Sequence, residues 1–230
     1  MIMREMADTE REKQLAAEAA AQLVEDGMTV GLGTGSTAAY LLRPLACRGL
    51  AIRCVATSPA ISREAARLGL EVVEFTGVDA LSHLDITIDG ADQAEPSGWL
   101  VKGGGGAHTR EKAVAAAASR FVVIVSSNKI VERLSPPIPL ELARFGLAST
   151  VARLGTVRIR NVPPSPDGGV IADYVGAVDD PEALAARLSA TPGVVEHGLF
   201  PSSMVADIIV GRGDGVEPIR VDSRTSDKKV

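Results

Sequence analysis

At 230 residues the chain has room for one large domain or a domain with a small companion, and 46% hydrophobic against 23% charged residues is the balance of a globular protein with a real core. A net charge of -5 and 3% aromatic residues argue against a broad nucleic-acid surface and against base-stacking platforms. No apolar run approaches the ~20 residues that span a bilayer, and the charged stretch from Met1 to Lys13 has no signal-peptide core, so a cytoplasmic protein without membrane attachment is expected.

Residues 8–26 carry an amphipathic helical pattern, with Leu15, Ala19 and Leu23 on one stripe and Ala16, Ala20 and Val24 beside it, ended by Gly27. Met28 to Leu32 is a short apolar strand, and Gly33-Thr34-Gly35-Ser36-Thr37 turns into a helix to about Ala46. Ala51 to Ala56 is the next strand, followed by Thr57-Ser58-Pro59 and a helix to Leu68. Strands follow at Glu71–Phe75 and Leu84–Asp89, then a glycine run and a helix from about Thr109 to Ala118. Arg120 to Ser126, with Phe-Val-Val-Ile-Val inside it, is a strand with a continuous apolar run, as strands buried on both faces have. Alternating βα units of this kind imply an α/β fold with a doubly wound, mostly parallel sheet.

From about Pro139 the rhythm changes. A strand (Ile138–Leu142), a helix to Leu154, strands at Thr156–Asn161 and Gly169–Tyr174, a helix (Pro181–Ser189) and a strand (Val194–Phe200) give the order βαββαβ. That is the split motif of a small ferredoxin-like α+β subdomain. Ala206 to Gly211 is expected to return to the main sheet. The division is therefore 1–137 plus 203–221 for the α/β domain, 138–202 for the subdomain and 222–230 for a polar, frayed tail. Cys47 and Cys54 read as buried reduced thiols, not as a disulfide or a metal pair.

Chemistry concentrates in Lys102-Gly103-Gly104-Gly105-Gly106-Ala107-His108-Thr109-Arg110-Glu111-Lys112. Four glycines bring nothing to bury and cost backbone entropy; their use is to let bare amides approach a ligand. A cation, a set of donors and a carboxylate meet there at a helix N-terminus, the outline of a site for a small anion. The helix dipole, with Arg110 or Lys112, would keep Glu111 ionised as a base; the bland account is an acid that merely complements the dipole.

Gly31 to Thr37 is either an ordinary tight turn or a cradle for phosphate and sugar oxygens. It lacks the Gly-Lys-Ser/Thr of a Walker loop, and its spacing and the Thr57-Ser58 that ends the next strand do not suit a dinucleotide. Asp89-Gly90-Ala91-Asp92 closes an apolar strand, where such sheets carry their ligand crevice, though two acids around a glycine also make turns. Lys129, after another apolar strand, belongs to the same edge. His83, His108 and His197 have no metal-ligand spacing and no Gly-x-Ser-x-Gly is present, so chemistry with no metal, cofactor or covalent nucleophile is expected.

Together these segments resemble ribose-5-phosphate isomerase of the A type, in that family's order, from about residue 13 to 221. Supporting pieces are Asn128-Lys129, Pro139-Leu140-Glu141, Pro192 to Val195 with Gly198-Leu199-Phe200, and Asp214-Gly215-Val216. The resemblance implies interconversion of ribose 5-phosphate and ribulose 5-phosphate in the non-oxidative pentose phosphate pathway, by a homodimer or homotetramer. It implies Glu111 as the base between C2 and C1 and Asp89 as the group handling protons at the sugar oxygens and ring opening, with Asp92 and Gly90 nearby. Lys102 with the amides of Gly103, Gly104 and Gly105 would hold the enediolate oxygen. Thr34, Gly35, Ser36 and Thr37 would bind substrate, Lys129 would meet phosphate or hydroxyls, and Lys13 is the candidate for the family's lysine on the first helix. His108 stands where the family is more often apolar, residues 56–59 follow its Ser/Thr-rich loop loosely, and the Pro163–Pro166 loop is short in a subdomain that relatives use for subunit contacts.

Two rivals share parts of this pattern. A non-catalytic phosphosugar sensor would carry a helix-turn-helix, for which Met1–Thr9 has no room. An amino-sugar phosphate deaminase would carry a catalytic histidine neighbourhood that has no counterpart here.

Overall fold

The computed structural model describes residues 2–221, with side chains from Met6 onward, so the tail assigned to 222–230 lies outside the described residues. In chain order the elements are α1 (Ile2–Ala21), β1 (Thr29–Leu32), α2 (Ser36–Cys47), β2 (Arg53–Ala56), α3 (Pro59–Arg67), β3 (Glu71–Val72), β4 (Leu84–Gly90), β5 (Gln93–Ala94), β6 (Leu100–Val101), α4 (His108–Ala116) and β7 (Ala118–Ser126). Then come β8 (Ile138–Leu142), α5 (Leu147–Leu154), β9 (Val157–Ile159), β10 (Val170–Tyr174), α6 (Pro181–Ser189), β11 (Val194–His197), β12 (Leu199–Phe200), β13 (Asp207–Arg212) and β14 (Gly215–Arg220).

The main sheet has the order β14-β13-β7-β4-β1-β2-β3, parallel throughout except for the β13–β14 hairpin. This is the doubly wound sheet read from the sequence. Its strand order reverses between β1 and β4, and the crevice at such a switch point is where these sheets bind ligands. β7 explains its own sequence: Val122 and Ile124 join the core under α1 and α2, while Phe121, Val123 and Val125 join the core on the opposite face. With both faces covered, every position from Phe121 to Val125 is apolar.

Residues 138–197 form a second sheet, order β11-β8-β10-β9, with every pairing antiparallel and α5 and α6 on one face. That is the ferredoxin-like arrangement implied by the βαββαβ order. A third sheet, β12-β6-β5, joins the two bodies.

Several boundaries move, each for a physical reason. α1 stops at Ala21 and not at residue 26, because the Arg48 guanidinium takes the carbonyls of Ala21 and Val24. Its buried face is Ala16, Ala17, Ala20 and Ala21, while Leu15, Ala19 and Leu23 are half-buried; small side chains let the helix lie close to the sheet. The strand expected over Glu71–Phe75 keeps two residues, at the sheet edge. The strand expected over Val194–Phe200 breaks at Gly198, whose N–H donates to Pro139 O (2.7 Å) and whose carbonyl accepts from Lys102 N–H (2.8 Å), so its halves join different sheets. Cys54 is buried, but Cys47 is exposed, against expectation. No helix among the described residues is long and apolar enough to cross a membrane.

Candidate active site

Three loops meet at the switch point, around a cavity of about 150 Å³. That volume is on the scale of one small metabolite. The wall is built from Lys13 on α1, Thr34 to Thr37 at the β1–α2 turn, Gly90 to Asp92 after β4, Lys102 to Gly105, Glu111 on α4 and Lys129 after β7. Every expected site residue except Asp89 lies on this wall.

The β1–α2 turn needs its glycines. Gly35 has φ 109°, which an L side chain rarely adopts. A Cβ on Gly33 would lie 1.9 Å from Asp89 Oδ1, so that glycine exists to admit a carboxylate. Asp89 Oδ1 accepts from Thr34 N–H (3.1 Å) and Gly90 N–H (2.7 Å), tying the β1 and β4 loops together. The Thr34 hydroxyl is held by Thr57 Oγ1 at 2.7 Å, and Thr57 in turn bonds Leu32 O at 3.1 Å.

α3 and α6 are capped by the side chains of Ser58 and Asp180, whereas α2, α4 and α5 carry no side-chain cap, and of these α2 places its first residues, Ser36 and Thr37, on the cavity wall. The first N–H groups of α2 are thus left for an anion, at the positive end of the helix dipole. Lys13 Nζ donates to Ser36 Oγ (3.1 Å) and pairs with Glu10. Lys129 has no hydrogen-bond or ion-pair partner among the described residues. Two cations, two hydroxyls and a helix end therefore form one side of the cavity.

The other side is charged and dry. Lys102, 2% exposed, places Nζ 2.8 Å from Asp89 Oδ2, 3.2 Å from Glu111 Oε2 and 2.5 Å from Gly90 O. Apart from this lysine, neither of those two carboxylate oxygens has a hydrogen-bond partner within the described chain. Burial opposes the Lys102 ammonium, but Asp89 and then Glu111 outweigh it and raise its pKa. Burial raises the Glu111 carboxyl to about 7, with Lys102 opposing and Asp89 adding to the rise. Burial likewise raises Asp89, against Lys102 and two backbone N–H donors. With all three ionised the cluster carries one net negative charge, so one added proton makes it neutral.

Three readings of the sequence are corrected here. Arg110 and Lys112 do not hold Glu111 ionised: Arg110 pairs with Asp167 (2.7 Å) and Lys112 with Glu196 (2.6 Å), and Lys102 is the partner. The Gly104 N–H is not free for an oxyanion, because it donates to Asp92 Oδ2 at 2.7 Å. Asp89 lies behind Lys102 and reaches the cavity through it, while Asp92 is the aspartate on the wall.

His108 is fully buried with its ring against Gly103, and burial lowers its pKa to about 4, so it fills space as a neutral imidazole. Among the described residues no group of three or more His, Cys, Asp or Glu is placed to hold a metal.

Glu12 was not read from the sequence. Its carboxylate accepts from Ser127 N–H (2.9 Å), Ser127 Oγ (2.7 Å) and Gly213 N–H (2.8 Å). It thereby locks α1, with Lys13 next to it, onto the turn that carries Lys129. The signal was available: Glu12 is in i, i+4, i+8 register with Ala16 and Ala20, an acid on the buried stripe.

Comparison with known proteins agrees with this geometry. The family model of ribose 5-phosphate isomerase A (phosphoriboisomerase A) matches residues 53–215. The chain is 43% identical over 221 residues to ribose-5-phosphate isomerase A of Caulobacter vibrioides, covering 89% of this chain and 96% of that one. The crystal structure of ribose 5 phosphate isomerase A from Neisseria gonorrhoeae superposes with a TM-score of 0.85 at 32% identity, over 90% of this chain and 95% of that one. A D-ribose-5-phosphate isomerase solved in complex with phospho-erythronic acid gives a TM-score of 0.84 at 31% identity, over 92% and 99% of the two chains.

Proposed function

The chain belongs to the ribose 5-phosphate isomerase A family and interconverts ribose 5-phosphate with ribulose 5-phosphate; we propose that it does so through an ene-diol, with Glu111 as the base. The observation that carries the assignment is a buried carboxylate on the cavity wall, 3.2 Å from a buried ammonium, where burial raises its pKa to about 7. A base works best with a pKa near the working pH.

The substrate phosphate sits on the α2 N-terminus with Lys13, Ser36, Thr37 and Lys129, and the open-chain aldehyde end points toward Lys102. Glu111 takes the proton from C2, and the electron pair moves through the C1–C2 bond onto O1. Lys102 and the Gly105 amide hold the charge that develops on O1, the kind of donor whose loss costs roughly 10²–10³ in rate. Glu111 then returns the proton to C1 while the O2 proton moves to O1, leaving the ketone at C2. Asp89 keeps Lys102 charged and in place, and Asp92 serves the sugar oxygens during ring opening and proton exchange. Gly90, Gly103 and Gly104 shape the wall by backbone alone. Phosphate contacts remote from C1 and C2 orient the sugar for this transfer.

The test is ribose 5-phosphate deuterated at C2. Transfer by a carboxylate predicts partial loss of the label to solvent during turnover. Full retention at C1 over many turnovers would mean a direct hydride shift and would remove Glu111 from this role.

We further propose that the chain is cytoplasmic and assembles as a homodimer or homotetramer. Exposed Phe145 (96%), Ile159, Val162, Val175 and Val195 all lie within residues 138–202, and a subunit contact would cover apolar side chains of this kind. Light scattering that gives a monomer mass at assay concentration would refute the assembly.

A further inference from the structure

Lys102 to Gly106 is a thin partition. On one side is the catalytic cavity; on the other is a second cavity of about 380 Å³, lined by Gly104 to Gly106, Arg160, Ile171 and the Val162–Pro166 loop. Glycines have no side chains with which to hold their own peptide planes; a turn bond from Gly106 N–H holds the Gly103 carbonyl (2.9 Å), but the orientation of the Gly104 carbonyl must come from a neighbour. That neighbour is Arg160, just after β9. Its Nη1 donates to Gly104 O (2.8 Å) and Gly103 O (3.3 Å). Its Nε and Nη2 are held by Asp173 Oδ1 at 3.0 and 2.6 Å, and Asp173 is a buried residue of β10. The guanidinium is thus fixed on one edge by the subdomain sheet and grips the glycine run with the other.

The consequence follows from peptide geometry. These peptides are trans, so the C=O and N–H of one unit point in opposite directions. In the Gly103–Gly104 peptide the carbonyl accepts from Gly106 N–H (2.9 Å) and, at longer range, from Arg160, and the N–H is on Asp92, a residue of the catalytic wall. In the next peptide the carbonyl of Gly104 is also on Arg160, and the N–H of Gly105 has no partner among the described residues. We propose that Arg160 is a positioning residue of the isomerase: by holding the Gly104 carbonyl on the subdomain side, it aims the N–H of the same peptide, that of Gly105, into the catalytic cavity, at the oxygen that becomes negative in the ene-diolate. A cationic donor on the carbonyl also withdraws charge through the shared peptide and strengthens that N–H as a donor. This rests on the isomerase reading, since it needs an oxyanion to receive the bond.

The test compares Arg160→Met, Arg160→Lys and Asp173→Asn with wild type. The measurements are kcat, KM, and the inhibition constants of phospho-erythronic acid and inorganic phosphate. The acid carries a planar carboxylate where the substrate has its reacting carbons, whereas inorganic phosphate reports the phosphate end alone. Misaiming an oxyanion donor should lower kcat of Arg160→Met by roughly 10–10²-fold and weaken the acid by a similar factor, with KM and the phosphate constant within about twofold. Arg160→Lys, which keeps a cationic donor but lacks the fork that reaches Asp173 and the glycine carbonyl together, should recover part of kcat. A kcat within about threefold of wild type overturns the proposal, as does a parallel change in all four quantities, which would mean general loosening. If Arg160→Met does not fold, Asp173→Asn decides on the same criteria. An inactive wild type would instead defeat the isomerase reading itself.

Discussion

Glu111→Gln should yield a protein that is more stable and nearly inactive. The Glu111 carboxyl, 4% exposed, is raised by burial to about 7 from an ordinary 4.5. Each unit of difference between folded and unfolded chains is worth about 1.4 kcal/mol, so the ionised carboxylate costs the fold about 3 kcal/mol above pH 7. The folded state is the one that binds the proton more tightly. The cost is therefore absent below pH 4.5, grows as pH rises from 4.5 to about 7, and is complete above that. Glutamine resembles the protonated acid and carries no such cost, while Lys102 keeps Asp89 as its partner. The variant should match wild type near pH 4.5 and exceed it by about 3 kcal/mol at pH 8, or roughly 6–12 °C in melting temperature. Turnover should fall by about 10²–10⁴ with KM little changed, because the phosphate end is untouched. In wild type, kcat/KM should decline as pH drops below about 7, where Glu111 takes up its proton. Urea or thermal melts from pH 4.5 to 8, with an assay at pH 8, check both halves. A stability difference that stays flat over that range, or turnover within tenfold of wild type, refutes the reasoning.

Lys102→Met should remove the neutralising charge from two buried carboxylates, costing about 3–5 kcal/mol at pH 8. That loss should shrink toward pH 5 as the pair is protonated, which melts at the two pH values would reveal. Gly33→Ala puts a methyl 1.9 Å from Asp89 Oδ1, and the displacement should lower kcat/KM by at least about 10²-fold in a soluble protein. Glu12→Gln should loosen Lys13 and Lys129 together, raising KM and the inhibition constant of inorganic phosphate by about tenfold (near 1.4 kcal/mol) at almost constant kcat. A change in kcat alone would contradict that assignment.

The parts of this design that were legible in the sequence are those written in local chemistry. Strand periodicity, the continuous run at Phe121–Val125 and the glycine-marked turns led to the sheet, and the order of motifs led to the loops that meet over the cavity. What stayed hidden depends on distance in three dimensions. The strands β5, β6 and β12 have two residues each, too few for any period to register. β14 carries Pro218, which reads against a strand until the chain's position at the sheet edge is known. Glu111 sits between Arg110 and Lys112 in sequence, yet a helix turns those neighbours to other faces, and its partner comes from nine positions upstream. No spacing rule reports that burial, more than a neighbouring charge, sets its pKa.

The small antiparallel sheet also holds the segment that lines the cavity. Lys102 N–H is held by Gly198 O at 2.8 Å, and the carbonyls of Gly103 and Gly104 by Arg160. Thr109 donates to the buried carboxylate of Glu141, which also accepts from Ser165 at 2.5 Å. Arg110 reaches Asp167 and Lys112 reaches Glu196 and His197 O. Each of these partners lies between residues 141 and 198, whereas the groups facing the cavity from the same segment are Lys102, Gly103, Gly104, Gly105 and Glu111. One side of the segment is thus tied to the subdomain and the other is left for substrate. A run of four glycines would otherwise sample many conformations; one turn bond, Gly106 N–H to Gly103 O, is its own, and the rest of the ordering is supplied from outside its sequence. The parallel sheet supplies the crevice and Asp89; the subdomain supplies the shape of the strip that carries Lys102 and Glu111.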